Sequence, residues 1–194
     1  MKKLKLSVGI LAVVFCLGGI AHAAPVTLNF DDLTNPDGGP VPGGYGGLNW
    51  MNVYYTPAFP PAESAPNVAF NGYAMPAFVT SQSGDFNFIS TYFTSPWEDS
   101  ITVQVIGLNV DELKFVGIKT LSLTKGNLMQ EYSFNFNDVD TLIFSSYNNV
   151  EGGIPAFSMD NFTIDSPVVP IPAALLLFGS GILGLFGIRR RLNR

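Results

Sequence analysis

One cysteine and one histidine occur in the sequence, and both stand within its first 23 residues, as Cys16 and His22. Beyond them no disulfide is available to brace a fold. A Ser-His-Asp or Cys-His nucleophilic site is excluded there, and so is a zinc site built on Cys or His. Basic residues are nearly as scarce. Between 24 and 167 there are only Lys114, Lys119 and Lys125, against all fifteen carboxylates of the chain, a net charge of −12. Phosphate backbones need Lys and Arg partners, so nucleic acid is excluded as a ligand. The same stretch lacks any apolar pattern of 3.6-residue period at helical length, any internal repeat, and any Asp-x-Asp-x-Asp-Gly calcium loop.

What the sequence does have begins with two ends unlike the middle. Lys2, Lys3 and Lys5 precede an apolar run from Leu6 to Ile20, and Ala21-His22-Ala23 follows. A basic start, an apolar core and a small-x-small site predict a signal helix over 1–23, cut by signal peptidase after Ala23, with Ala21 and Ala23 as the recognised small residues. Val13-Val14-Phe15 before Cys16 is not a lipoprotein-type box, so lipid attachment is not expected. At the other end, 168–194 contains Val169-Pro170-Ile171-Pro172, then 173–188 without a charge, then Arg189, Arg190, Arg191 and Arg194. As a helix the apolar segment covers about 24 Å. A hydrocarbon core is roughly 30 Å, and snorkelling arginines make up part of the difference. The reading is a transmembrane helix with a basic tail, 189–194, held on the cytoplasmic side. The prolines mark its outer mouth, because neither fits inside a helix without losing a hydrogen bond.

The order of proline motif, Gly-rich apolar span and arginine cluster resembles the PEP-CTERM sorting domain of bacteria with exopolysaccharide-rich surfaces. The resemblance covers VPIPAALLLFGSGILGLFGIRRR, with Ile171 where the family name has Glu. It implies recognition by a membrane-embedded exosortase, cleavage near the motif, and delivery to the cell surface or beyond. The alternative is a plain single-span anchor, which needs the apolar run and the charges but not the prolines.

Between the ends, 24–167 is one domain's worth of chain. Alternation dominates it. Ile101, Val103 and Val105 alternate with Thr102 and Gln104, and Tyr132, Phe134 and Phe136 alternate with Ser133, Asn135 and Asn137. These six apolar residues are expected to face inward. Further strands are expected at 26–30, 47–55, 86–94, 113–123, 141–146 and 157–164, with weaker candidates at 68–73 and 76–81. Many short strands between Gly, Pro and Asn predict an all-β domain, an antiparallel β-sandwich of jelly-roll type, with an immunoglobulin-like sandwich as the second choice. The pieces NFDDL (29–33), GGYGGLNWMN (43–52), FISTYFTSPW (88–97), NDVDTLIFSS (137–146) and FSMDNFTI (157–164) resemble a jelly-roll ectodomain common among PEP-CTERM proteins. That family is similar in shape to carbohydrate-binding jelly rolls, which implies exopolysaccharide as a partner.

Three groups of residues are candidates for chemistry. In a jelly roll the first and last strands are neighbours, which brings Asp31 and Asp32 toward Asp160. The last strand changes parity there, Phe157 and Met159 on one face and Phe162 and Ile164 on the other, so a bulge near Asp160 is expected. Gathered carboxylates suit a structural Ca²⁺; the alternative is that Asp160 caps backbone amides while Asp31 and Asp32 face water. No other cofactor is expected. Trp50, Tyr54, Tyr55, Trp97 and Tyr147 are candidate platforms for sugar rings, with Tyr54, Tyr55 and Trp97 foremost; against this, Trp50 and Trp97 lie on or beside strands and read more readily as core. Finally, Glu98-Asp99 and Asp111-Glu112 are each adjacent in sequence, so on a strand each pair points to opposite faces. Glycoside hydrolysis needs two facing carboxylates at a set separation. A carboxylate-based glycan hydrolase is therefore the alternative, and no enzyme the expectation.

Overall fold

The structure, a computed structural model of the chain, describes residues 24–57, 62–126, 128–148 and 151–165. The expected signal helix, sorting motif, transmembrane helix and basic tail all lie outside these residues. Among the described residues no helix is long and apolar enough to cross a membrane. Residues 24–167 form one compact unit.

The described chain is all-β. Its strands are β1 (Pro25–Leu28), β2 (Gly39–Pro40), β3 (Leu48–Met51), β4 (Val53–Pro57), β5 (Asn67–Asn71), β6 (Ala77–Ser81), β7 (Phe86–Thr94), β8 (Ser100–Asn109), β9 (Lys114–Thr124), β10 (Gln130–Val139), β11 (Thr141–Tyr147) and β12 (Ser158–Asp165). They form two antiparallel sheets packed as a sandwich. One has seven strands in the order β10-β7-β12-β5-β4-β2, with β1 also on β12; the other has five, β3-β6-β11-β8-β9.

Period-2 alternation explains why each strand sits where it does. Ile101, Val103 and Val105 of β8 are buried, as are Phe134 and Phe136 of β10, and Tyr132 packs partly buried against the same core. Aromatic rings join the sheets. Phe88 of β7 stacks on Phe134 at 4.5 Å and on Phe162 at 4.7 Å, and meets Phe144 of the opposite sheet edge-on at 6.2 Å. Trp50 of β3 meets Phe162 edge-on at 5.1 Å. Such pairs add about 0.5–1.5 kcal/mol each beyond the area they bury.

One expected strand is two. Residues 47–55 break at Asn52, whose φ is 58°, and the chain passes there from the five-stranded sheet (β3) to the seven-stranded one (β4). Asn tolerates this left-handed conformation. Its side-chain amide donates to the carbonyls of Gly72, Met75 and Pro76, at 3.0, 3.2 and 3.0 Å, which holds the crossing in place.

The last strand behaves as its parity implied. β12 pairs with β7 along its length, but register shifts between Asp160 and Thr163, and Asn161 has φ of 48°. On its other edge Ser158 and Met159 pair with β5, while 162–165 pair with β1. The bulge therefore lies where the neighbour of β12 changes from one strand to another.

Candidate functional site

Two places gather polar chemistry. The first is that change of neighbour. Asp160 is fully buried. Its Oδ2 accepts the Ser64 backbone N–H at 2.8 Å, and its Oδ1 accepts the Asn161 N–H at 2.7 Å. Ser64 Oγ adds a contact at 3.2 Å to Oδ2. Asp31 Oδ1 accepts the Asn67 N–H at 2.9 Å, and the Asn67 amide donates in turn to the carbonyls of Phe30 and Leu33. Asp32 turns elsewhere and accepts the Tyr45 hydroxyl at 2.8 Å. Burial, together with the Asp32 carboxylate, raises the Tyr45 phenol well above its ordinary range.

Asp31 and Asp160 thus converge on the segment 64–67 that leads into β5, and Asp32 does not join them. Burial pushes the Asp160 carboxyl up to about 6, against the lowering effect of its N–H donors; the charge of Asp31 adds to the rise. Among the described residues no three acidic, His or Cys side chains gather as a metal site. A hard cation needs six to eight oxygens with free lone pairs. Here backbone N–H groups already point at the inner oxygens, so the residues fit amide capping better than calcium.

The second place is a cleft of about 470 Å³ at one end of the five-stranded sheet, lined by 97–102, Tyr147 and Asn148. Pairing of β11 with β8 sets Tyr147 opposite Thr102, so the end of one strand meets the start of the other. The turn after β7 brings Trp97. Ser95 Oγ donates to the Glu98 carbonyl at 2.6 Å and closes Ser95-Pro96-Trp97-Glu98 into a turn. Pro96 fixes its φ for such a turn. The Lys125 N–H donates to the Asp99 carbonyl at 3.3 Å and ties the turn to the end of β9. Trp97 is 41% exposed and Tyr147 is 50% exposed. Glu98 Oε1 accepts the Ile154 N–H at 2.8 Å. Asn148 Nδ2 is buried with no acceptor among the described residues.

The likenesses to solved structures are distant. A DUF4465 family protein from Bacteroides caccae ATCC 43185 covers 74% of this chain and 100% of its own at 11% identity and a TM-score of 0.58. An arabinose-bound α-L-arabinofuranosidase matches 76% of this chain and 27% of its own (13% identity, TM-score 0.46). A family 29 carbohydrate-binding module matches 77% and 100% (13% identity, TM-score 0.42). The first likeness shows a shared sandwich fold, and at such identity fold alone. No family model matches the chain, and no curated protein matches its sequence.

The aromatic candidates divide. Trp97 and Tyr147 meet in the cleft. Trp50 is buried and its indole donates to the Tyr45 carbonyl at 2.9 Å. Tyr55 is buried, and its hydroxyl accepts the Asn35 N–H at 3.2 Å. Tyr54 packs between Phe70 and Tyr73, at 5.9 and 6.3 Å, away from the cleft lining. Glu98 and Asp99 are not on a strand: Glu98 ends the turn, Asp99 follows it, and both line the cleft. Asn148 and Thr102 were not among the sequence candidates. What signals Asn148 is the placing of an aromatic residue followed by an acid or amide at or just past a strand end, at Trp97-Glu98 and again at Tyr147-Asn148; Thr102 has no such signal.

Proposed function

We propose that the domain is the glycan-binding ectodomain of an exported surface protein. The observation that carries the reading is the meeting of Trp97 and Tyr147, two exposed aromatic residues, with Glu98, Asp99 and Asn148 in one open cleft. Ligand sites pair apolar walls with a few convergent polar groups. Ring faces pack on the C–H faces of sugars, while the carboxylates and the amide bond hydroxyls. The lining holds two acids and no base, so the fitting ligand is an uncharged polysaccharide rather than a uronate. Titration calorimetry against neutral exopolysaccharide tests this. Trp97→Ala should weaken binding about tenfold, or ~1.4 kcal/mol. Equal binding by the variant, or by a polyuronate, overturns it.

The rival is hydrolysis, favoured by the two carboxylates in one cleft. Glu98 is engaged with the Ile154 amide, and the two acids are sequence neighbours rather than facing walls. We therefore read the cleft as binding without turnover; release of reducing ends that Asp99→Asn abolishes would reverse that. The switching of the chain between sheets at most connections supports the jelly-roll form of the sandwich.

Delivery is the other half of the proposal. In this reading Pro170 and Pro172 bias 169–172 against helix, which suits a segment that a protease site must take in extended form. Glycines at 179, 181, 184 and 187 allow close approach of another membrane helix. An exosortase recognising this motif uses each part. Replacing both prolines by Ala in a host that carries an exosortase should abolish the mass change and the release from the membrane. Unchanged processing leaves a plain anchor.

A further inference from the structure

The five-stranded sheet has an outer face unlike the rest of the molecule. β3, β6, β8 and β11 contain no charged residue, and β9 contains only Lys114 and Lys119. Lys119 turns toward the other sheet, where its Nζ donates to the Ser133 carbonyl and lies 5.3 Å from the Phe134 ring centroid. Lys114 is the first residue of its strand. Within a domain of net charge −12 this face carries no carboxylate. Among its Thr, Ser, Asn and Gln side chains one row is also apolar where alternation leads one to expect polar ones. Strand register places Met51 beside Phe78, Phe78 beside Ile143, Ile143 beside Ile106, and Ile106 beside Ile118. The row crosses all five strands. Met51 is 59% exposed and Ile118 50%. Beside it, Leu108 pairs with Phe115, itself 59% exposed.

We infer that a second copy of this chain covers this face, sheet against sheet, about a two-fold axis near Ile143. Three arguments select that occupant. Two copies of a strongly acidic domain repel each other through most surfaces, and this face lets them meet with no like charges opposed. A sheet face crossed by one apolar row is well matched by another, since stacked sheets pack about 10 Å apart and the row of one can lie against the row of the other. The area suffices: five strands at ~4.8 Å spacing and a mean length of about seven residues give on the order of 600 Å² a side, or about 1,200 Å² for the pair, the lower bound of specific interfaces. An anionic membrane surface would find one exposed base, Lys114 at the start of β9, and no basic patch. The pairing does not rest on the glycan reading of the cleft.

Cys16 being the only cysteine, the full chain with Cys16→Ser accepts single reporters. Ile143→Cys marks the centre of the row, and Asn137→Cys an exposed strand position on the other sheet. Treating isolated membranes with a bis-maleimide of roughly 10 Å reach, which spans the gap between stacked sheets, should link Ile143→Cys into a dimer and leave Asn137→Cys monomeric. Adding Ile118→Glu buries an unpaired charge in the interface and should cut the linked fraction about tenfold. Because Ile118 is exposed, the melting temperature should stay near the parent's, which separates lost pairing from lost folding. No dimer from Ile143→Cys, equal dimer from Asn137→Cys, a linked product with a different protein, or linking untouched by Ile118→Glu each overturn the inference.

Discussion

In the five-stranded sheet the ladders run with a single register shift, between Gly107 and Leu108; in the seven-stranded sheet they shift at four places along β10 and β12. Asn135, Asp138 and Asn161, all at positive φ, belong to the second sheet. So do the carboxylates that lie on strands, Glu131, Asp138, Asp160 and Asp165, and the buried Asn67, Asn71, Ser90, Thr91, Thr94 and Ser158, against the buried Asn109 at the end of β8 in the five-stranded sheet. The two inner faces share one aromatic core. The difference is in what each backbone does with its hydrogen bonds. An irregular ladder leaves N–H groups unpaired, and short polar side chains must take them up. A regular ladder leaves none over, and its outer face is free to be apolar. Charge and irregularity therefore travel together in this sandwich, and the regular sheet is left with a surface fit for association.

The sharpest way to break the comparison is through the core that both sheets share. Phe88→Ala removes a ring stacked on Phe134 and Phe162 and touching Phe144, and should cost about 3–5 kcal/mol in urea denaturation. Met51→Ala, on the outer face, should stay within about 0.5 kcal/mol. Equal losses would mean that the outer row is as much core as the inner one. Next in size is Gly117→Ala. Gly107 and Gly117 are paired, and a Cβ on either would lie 2.7 Å from the Phe136 ring. Overpacking should cost about 1–3 kcal/mol, and Phe136→Leu should recover part of it in the double variant. An additive double variant would place the strain elsewhere.

How much of this was legible in the sequence turns on parity. The slip between Phe157/Met159 and Phe162/Ile164 announces the bulge of β12 in the sequence itself. The same signal lies in 47–55, where Leu48 and Trp50 are buried, then Val53 and Tyr55. Read as one strand, that slip at Asn52 was missed, and with it the crossing between sheets. Trp97 illustrates a different limit. Beside a strand it reads as core, yet the Ser95–Glu98 turn lifts it into the cleft, and a turn closed by one side-chain bond leaves little periodic trace. The cleft itself depends on β11 running antiparallel to β8, a pairing between residues some forty positions apart that no local pattern announces.

The third prediction sharpens the link between irregularity and polar residues. Asn161 sits in the bulge with a left-handed backbone, which a β-branched residue adopts badly. Asn161→Val should therefore cost about 1–2 kcal/mol, and Asn161→Gly only a few tenths. Similar losses from both would assign the role to the side chain rather than the backbone.

The last effect is a tilt with pH, and it isolates Asp160 from the other carboxylates. Burial is the chief cause of its rise from 3.8 to about 6, with the charge of Asp31 adding and the N–H groups of Ser64 and Asn161 opposing. A carboxyl whose pKa is higher folded than unfolded holds its proton more tightly in the native state. Folding then takes up a proton between those two values, and stability from this group falls as the pH rises through the window. Above about 6 both states are ionised and the contribution is flat; below 3.8 both are protonated and it is flat again. The other acids tilt the same curve by mutual repulsion, so the readout is the difference between the parent and Asp160→Asn, measured by denaturation at each pH. That difference should shift against the parent between pH 4 and pH 6 and hold steady from pH 6 to pH 8. A difference constant across the lower interval would mean that Asp160 stays ionised in the fold, with the N–H donors of 64 and 161 outweighing its burial.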